Sequence, residues 1–123
     1  SKSLGNVVDP NKVTSTLGAD ILRLWVASVD FTSDVRISDE LLKQVVENYR
    51  KIRNTFRFMM GNLDDNTFTF KDVLPFDQCS KVDQYVLKQV SDTLKLAEKA
   101  YRTFDYNLFV SKATALLIFF SYF

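Results

Sequence analysis

Apolar side chains recur with a helical period through the middle of the chain, and this pattern constrains the fold more than any other feature. Spaced mostly three or four residues apart, the apolar positions are Leu42, Val45, Tyr49, Ile52, Phe56, Met59, Met60 and Leu63. This spacing places them on one face of a helix of about seven turns, on the order of 37 Å long. Such a helix needs other helices to cover its apolar face, so the pattern predicts an antiparallel helical bundle.

Signals for helix starts and stops divide the rest of the chain. Asp9 before Pro10 predicts a short first helix, which Gly18 should end in the left-handed conformation, and a second helix follows over about 19–28. Ser38 is the expected N-cap of the long helix, which should end near residues 61–62. The residues between these helices lack a helical period, so we place a structured crossing and the main boundary there.

Two more helices are predicted in the second half. A third long helix should begin between Phe76 and Ser80, and Asp105 is expected to cap a final helix that starts near Tyr106. Apolar residues lie on nearly all sides of that final helix, so it should be central or should abut a further partner.

The loop between the two long helices carries three large apolar side chains. They are Phe68, Phe70 and Leu74, within residues 66–75. Loops with so much apolar content are rarely free, so we expect these side chains to pin the loop onto the bundle.

The composition favours an all-α fold, because only three glycines and two prolines interrupt 123 residues. We predict a short loop-and-helix linker over residues 1–37 and the bundle over 38–123. The net charge is +1, so any nucleic-acid site must come from local clustering. The chain has no histidine and the lone Cys79 cannot build a zinc site or an internal disulfide, so no metal site is predicted.

No signal peptide is visible, and the apolar stretch 113–123 is about 11 residues, well short of the roughly 20 that span a bilayer. The sequence therefore predicts no membrane partner and a location in a reducing cytoplasm.

A basic row runs along the long helix. On a helical wheel Arg50, Arg53 and Arg57 fall within about 60° of one another, Lys43 extends the row, and Asn54 adds an amide among the arginines. A rigid row of guanidinium groups is suited to RNA phosphates or splayed bases. Surface pairing with acids such as Glu47 explains the same spacing, and both interpretations stay open. A second stripe, Lys81, Lys88, Lys95 and Lys99, is more typical of a solvated face.

The first ten residues, Ser-Lys-Ser-Leu-Gly-Asn-Val-Val-Asp-Pro, resemble the end of the Lys-Met-Ser-Lys-Ser signature loop of class I aminoacyl-tRNA synthetases. Without that resemblance, a terminal lysine is usually only solvated. The resemblance implies that Lys2 contacts ATP phosphates in a parent enzyme, with Ser1 and Ser3 as part of the ATP loop. The nucleotide-binding half would precede Ser1, so we expect a part of a longer protein.

Later motifs resemble the isoleucine-specific members of that family. Residues 18–25 read Gly-Ala-Asp-Ile-Leu-Arg-Leu-Trp, and further similar stretches are 34–40, 49–58 and 82–87, where Gln84 stands in place of a more usual arginine. The resemblance implies a helical anticodon-binding domain truncated at its C-terminal end. The implied partners are isoleucine tRNA and an upstream catalytic domain of the same chain. The implied parent is a monomer that joins isoleucine to tRNA with ATP and Mg²⁺. This part alone should be inactive and should bind neither ATP nor Mg²⁺.

The alternative is a helical protein-interaction module without an RNA role. In that case the helix over 106–123 docks on a partner, and Leu117, Phe120 and Phe123 are exposed. A small independent enzyme is the least supported class, because the sequence has no histidine, cysteine pair or glycine-rich phosphate loop.

Overall fold

The structure is a computed structural model that describes residues 7–63 and 67–122. Within these ranges the chain forms five α-helices and no β-strand, which confirms the all-α prediction. The helices are α1 (Pro10–Leu17), α2 (Ala19–Ser28), α3 (Asp39–Gly61), α4 (Lys81–Thr103) and α5 (Tyr106–Phe120). Between α3 and α4, residues 67–80 form single turns of 3-10 helix at Phe70–Asp72 and Phe76–Gln78.

Short-range capping contacts start three of the helices. The Asp9 carboxylate accepts the Asn11 N–H at 2.9 Å at the start of α1. The Ser38 hydroxyl accepts the Leu41 N–H at 3.2 Å at the start of α3. Both caps were predicted, because each links a polar side chain to an amide two or three residues later. Ser80 caps α4 in the same way, so α4 begins immediately after the predicted range.

Two predicted helix ends have a different geometry. Gly18 has a positive φ of 91°, but its ψ of 155° lies outside the left-handed helical region, because the residue both ends α1 and precedes α2. Asp105 precedes α5 as expected, yet its side chain forms no capping hydrogen bond. The left-handed conformation occurs instead at Phe104, with φ 60° and ψ 19°, in the tight connection between α4 and α5.

Helix α5 occupies the centre of the bundle, where it contacts α2, α3 and α4. Helix α1 packs on α2, and α2 packs on α3. The rings of Tyr101 and Tyr106 meet edge to face at 5.4 Å near the α4–α5 connection, and Lys112 donates to Gln89 further along. These pairings make α4 and α5 antiparallel. The position of α5 explains its apolar surface on nearly all sides, and its central placement was one of the two predicted outcomes.

The buried core is small and includes two hydroxyl groups. The buried side chains are Val13, Ile21, Leu42, Ala100, Thr55 and Thr93. The apolar face of α3 is only partly covered in its second half, since Phe56 and Met60, and Leu63 just beyond the helix, are exposed. The predicted period is therefore correct for the helix, but it overestimates how much of the face the other helices cover.

The expectation that the loop is pinned to the bundle is wrong for two of its three apolar residues. Phe70 is 95% exposed and Leu74 is exposed, while Phe68 is half-buried. The loop is held by local polar contacts, because the Asp72 carboxylate accepts the backbone N–H and the hydroxyl of Thr69 at 2.7 and 2.9 Å. These hydrogen bonds lower the pKa of Asp72.

Candidate nucleic-acid interface

The basic row lies on the face of α3 that points away from α2 and α5. Its members, all exposed, are Lys43, Arg50, Arg53, Asn54 and Arg57. They belong to one continuous helix of 23 residues, so their spacing is set by the helix itself. All five residues are exposed on this one helix, and their role in RNA binding stays a prediction.

Arg50 is the one arginine of the row that forms an ion pair within residues 7–63 and 67–122. Its Nη2 lies 2.7 Å from Glu47 Oε2, and its Nε donates to the same oxygen at 3.2 Å. The hydrogen bond and the charge of Arg50 lower the pKa of Glu47. Both side chains are more than half exposed, so the pair holds Arg50 in position and contributes little to stability.

The other cations of the row are open to solvent. Within the described residues, no carboxylate lies close enough to Lys43, Arg53 or Arg57 to form an ion pair. Of the two interpretations of the row, acid pairing thus applies to Arg50 and leaves the remaining cations available. A solvated strip of positive charge on a rigid helix attracts a polyanion.

Phe58 also lies on this surface, although the sequence pattern predicted no role for it. Its side chain is 66% exposed, although the residue is aromatic and lies within a long helix. On the wheel it lies about 40° from Asn54 and outside the apolar face, and that position was the available signal. The basic row and Phe58 together form what we call the α3 outer face: Lys43, Arg50, Arg53, Asn54, Arg57 and Phe58.

Comparison with known proteins places this geometry in a family context. The family model "tRNA synthetases class I (I, L, M and V)" matches residues 1–38. Isoleucine–tRNA ligases of Bacillus cereus (strain B4264) and Bacillus anthracis (strain A0248) are each 53% identical over 109 residues, which cover 86% of this chain. The chain is similar to a segment of isoleucine–tRNA ligase. It spans 11% of the length of these relatives.

The similarity to isoleucine–tRNA ligase confirms the resemblance inferred from the motifs. Ser1, Lys2 and Ser3, the predicted ATP-loop residues, lie outside the described residues, so their role stays a prediction. Across residues 7–63 and 67–122, no three His, Cys, Asp or Glu side chains cluster in a way that could hold a metal ion. In the same ranges, every helix is too short or too polar to cross a bilayer.

The lysine stripe of α4 differs from the α3 outer face. Lys81, Lys88, Lys95 and Lys99 are all exposed, as expected of a solvated face. Acidic side chains interrupt the same helix at Asp83, Asp92 and Glu98, whereas the stretch from Lys51 to Gly61 in α3 contains none. The sequence similarity to isoleucine–tRNA ligase includes both α3 and α4, so it does not indicate which helix carries the candidate interface. The arrangement of charges does distinguish the two helices.

Proposed function

We propose that this chain binds the anticodon arm of isoleucine tRNA through the basic row of α3, as the helical anticodon-binding part of an isoleucine–tRNA ligase. The observation that carries the proposal is the exposed row on one rigid helix, in a chain 53% identical to isoleucine–tRNA ligases. The described residues Lys43, Arg50, Arg53, Asn54 and Arg57 are the proposed RNA contacts. Residues 38–123 form the proposed anticodon-binding domain, and residues 1–37 its linker to the catalytic half.

The chemistry of the row supports an RNA ligand. Arginine presents five donors in a planar fork that fits phosphate oxygens, and it also stacks on bases. Arg50, Arg53 and Arg57 repeat at three and four residues, so consecutive guanidinium groups line one side of the helix. Asn54 carries both a donor and an acceptor beside them, which suits it to the edge of an unpaired base.

The proposed parent activity is the ATP-dependent joining of isoleucine to its tRNA. ATP with Mg²⁺ supplies the activation of the amino acid when bound, and we assign Lys2, between Ser1 and Ser3, to the ATP phosphates by resemblance alone. We assign the helices to tRNA positioning, with the upstream catalytic domain as their partner in a cytoplasmic monomer.

A matched pair of triple variants tests the RNA contact. Arg50, Arg53 and Arg57 are replaced by alanine in one variant, and Lys88, Lys95 and Lys99 of α4 in the control, so both lose three exposed cations. Gel shifts with isoleucine tRNA and a non-cognate tRNA are repeated over a range of salt concentrations. We expect the α3 variant to weaken binding more than tenfold and to flatten the salt dependence by up to about three counterions.

Two results would overturn the assignment. Unchanged tRNA affinity of the α3 variant would remove the row from the interface. An equal loss in the α4 control would show that binding follows total charge rather than the α3 surface. A melting curve followed by circular dichroism checks that both variants keep the helical fold.

A protein-interaction role is the second candidate, and the exposed apolar residues favour it. Leu94 on α4 and Phe70 in the loop are largely exposed. The helix proposed to dock is less available than expected, since Leu117 and Phe120 are half-buried in α5 and Phe123 lies outside the described residues. Sedimentation of the chain over a range of concentrations tests this role, because docking between copies would raise the mass.

A further inference from the structure

The ring of Phe58 is exposed beside a row of cations rather than inside an apolar patch. Its helical neighbours one turn away are Asn54 and Thr55 on one side and Gly61 and Asn62 on the other. The Asn62 amide turns back to donate to the Phe58 carbonyl at 2.8 Å, so it holds the end of the helix. The exposed neighbour of Phe58 with a side-chain amide still open to a ligand is therefore Asn54, while Thr55 is buried.

Open space adjoins this ring. A Cβ built on Gly61, three residues after Phe58, would meet no atom within 4 Å. On a helix surface, residues three or four apart are about 5–6 Å apart at their Cβ atoms, so this space lies near the Cβ of Phe58. The helix surface at Gly61 is therefore uncrowded.

The charges beside the ring specify the chemistry of the occupant. Arg57 adjoins Phe58 in sequence, Arg50 lies two turns earlier, and Lys51 shares the side of the helix that carries the ring. The acid nearest to these groups on the helix is Glu47, which already pairs with Arg50. A ligand that is both flat and attached to negative charge fits this arrangement, and a nucleotide has both properties.

We propose that Phe58 is a stacking platform for one unpaired base of the bound RNA, with Asn54 at the edge of that base and the arginines on the adjoining phosphates. This inference rests on the proposed RNA-binding function and adds to it a position where the base is held. Base-paired RNA hides its base faces, so the site selects a single-stranded loop over a duplex.

The test compares Phe58→Ala and Phe58→Trp in the full chain, with Phe70→Ala as the control at a still more exposed phenylalanine outside the row. The probes are an isoleucine-tRNA anticodon stem–loop and a duplex of the same length. We expect Phe58→Ala to weaken stem–loop binding roughly tenfold with an unchanged salt slope, because stacking involves no counterion release. Phe58→Trp should retain wild-type affinity, and duplex binding and Phe70→Ala should be unaffected.

Spectroscopy adds a readout that a merely structural role would not change. In the Phe58→Trp variant, tryptophan fluorescence should be quenched on addition of the stem–loop and not on addition of the duplex. Wild-type stem–loop affinity in Phe58→Ala, or an equal loss for stem–loop and duplex, would overturn the stacking site. The proposed function fails separately, when the Arg50, Arg53 and Arg57 triple variant keeps its tRNA affinity.

Discussion

The hydroxyl of Thr55 in α3 donates to the main-chain carbonyl of Leu117 in α5, across an Oγ1–O distance of 3.2 Å. The same hydroxyl lies 2.9 Å from the Lys51 carbonyl of its own helix, so its single hydrogen is shared. The Ser121 N–H, which would bond Leu117 in a continued helix, bonds the Ile118 carbonyl instead. Thr55 thus supplies a donor to a carbonyl left open in the last turn of α5.

Replacing Thr55 by valine should lower the free energy of unfolding by about 1–3 kcal/mol, because the Leu117 carbonyl loses its donor in a buried contact. The matched control is Thr93→Val. Thr93 is equally buried, but its hydroxyl bonds only the Gln89 carbonyl one turn earlier in its own helix. Urea titrations measure both variants, and an equal effect of the two would contradict the role of the α3–α5 contact.

Substituting Gly18 by alanine should destabilise the chain through the backbone alone. The residue has φ 91°, yet an added Cβ would meet no atom within 4 Å, so crowding plays no part. A cost of about 1–3 kcal/mol is expected from the strained dihedral angles. Gly61→Ala, at a helical glycine with equally open surroundings, should instead gain up to about 1 kcal/mol. Thermal melts decide the sign of each change, and a neutral Gly18→Ala would contradict the argument.

Alkaline pH should weaken the contact between α2 and α3. The Tyr49 hydroxyl donates to Asp20 Oδ2 at 3.0 Å, and this hydrogen bond, followed by the charge of Asp20, raises the pKa of Tyr49 above its ordinary value of 10.0. The folded state therefore holds the phenol proton more tightly than the unfolded chain does. The resulting stability is complete below pH 10 and is lost as the pH rises through the raised pKa.

Tyr49→Phe provides the comparison for this pH dependence. The variant has no phenol proton to lose, so the difference in unfolding free energy between wild type and variant should shrink as the pH increases from 8 to 11. Urea titrations at several pH values measure this difference. A constant difference across the range would contradict the role of the Asp20 contact.

Removing the charge of Glu47 should strengthen RNA binding, provided that the α3 row contacts RNA. Glu47→Gln breaks the ion pair with Arg50, and the guanidinium group is then free for phosphate. We expect a several-fold gain in tRNA affinity and a salt slope steeper by about one counterion. Glu98→Gln, which breaks the comparable pair with Arg102 on α4, should leave binding unchanged. A weaker complex with Glu47→Gln would indicate that the pair positions Arg50 for binding.

Local features of the fold were predictable because they depend on neighbouring residues. The caps at Asp9 and Ser38 involve amides within three residues, and the period of α3 follows from side-chain spacing. The coverage of each face depends on distant parts of the chain. Phe70 is exposed, since hydrogen bonds between Thr69 and Asp72 hold the loop locally. No sequence pattern distinguishes a loop held in this way from a loop that docks on the bundle.

The candidate site divides in the same way. The basic row could be predicted because a helical wheel orders Arg50, Arg53 and Arg57 without tertiary information. The same wheel places Phe58 outside the apolar face, but the extent of its exposure could not be predicted, because it depends on where α2 and α5 pack. The three-residue spacing already indicated that Glu47 can pair with Arg50, and the side-chain positions show that this pair forms.

The central position of α5 has a consequence for synthesis on the ribosome. Thr55 and Leu117 are 62 positions apart, and α5 is translated after α2, α3 and α4 although it covers parts of all three. Until residue 120 leaves the exit tunnel, those three helices carry uncovered apolar surface. During that interval the uncovered apolar surface of the nascent chain is exposed to aggregation.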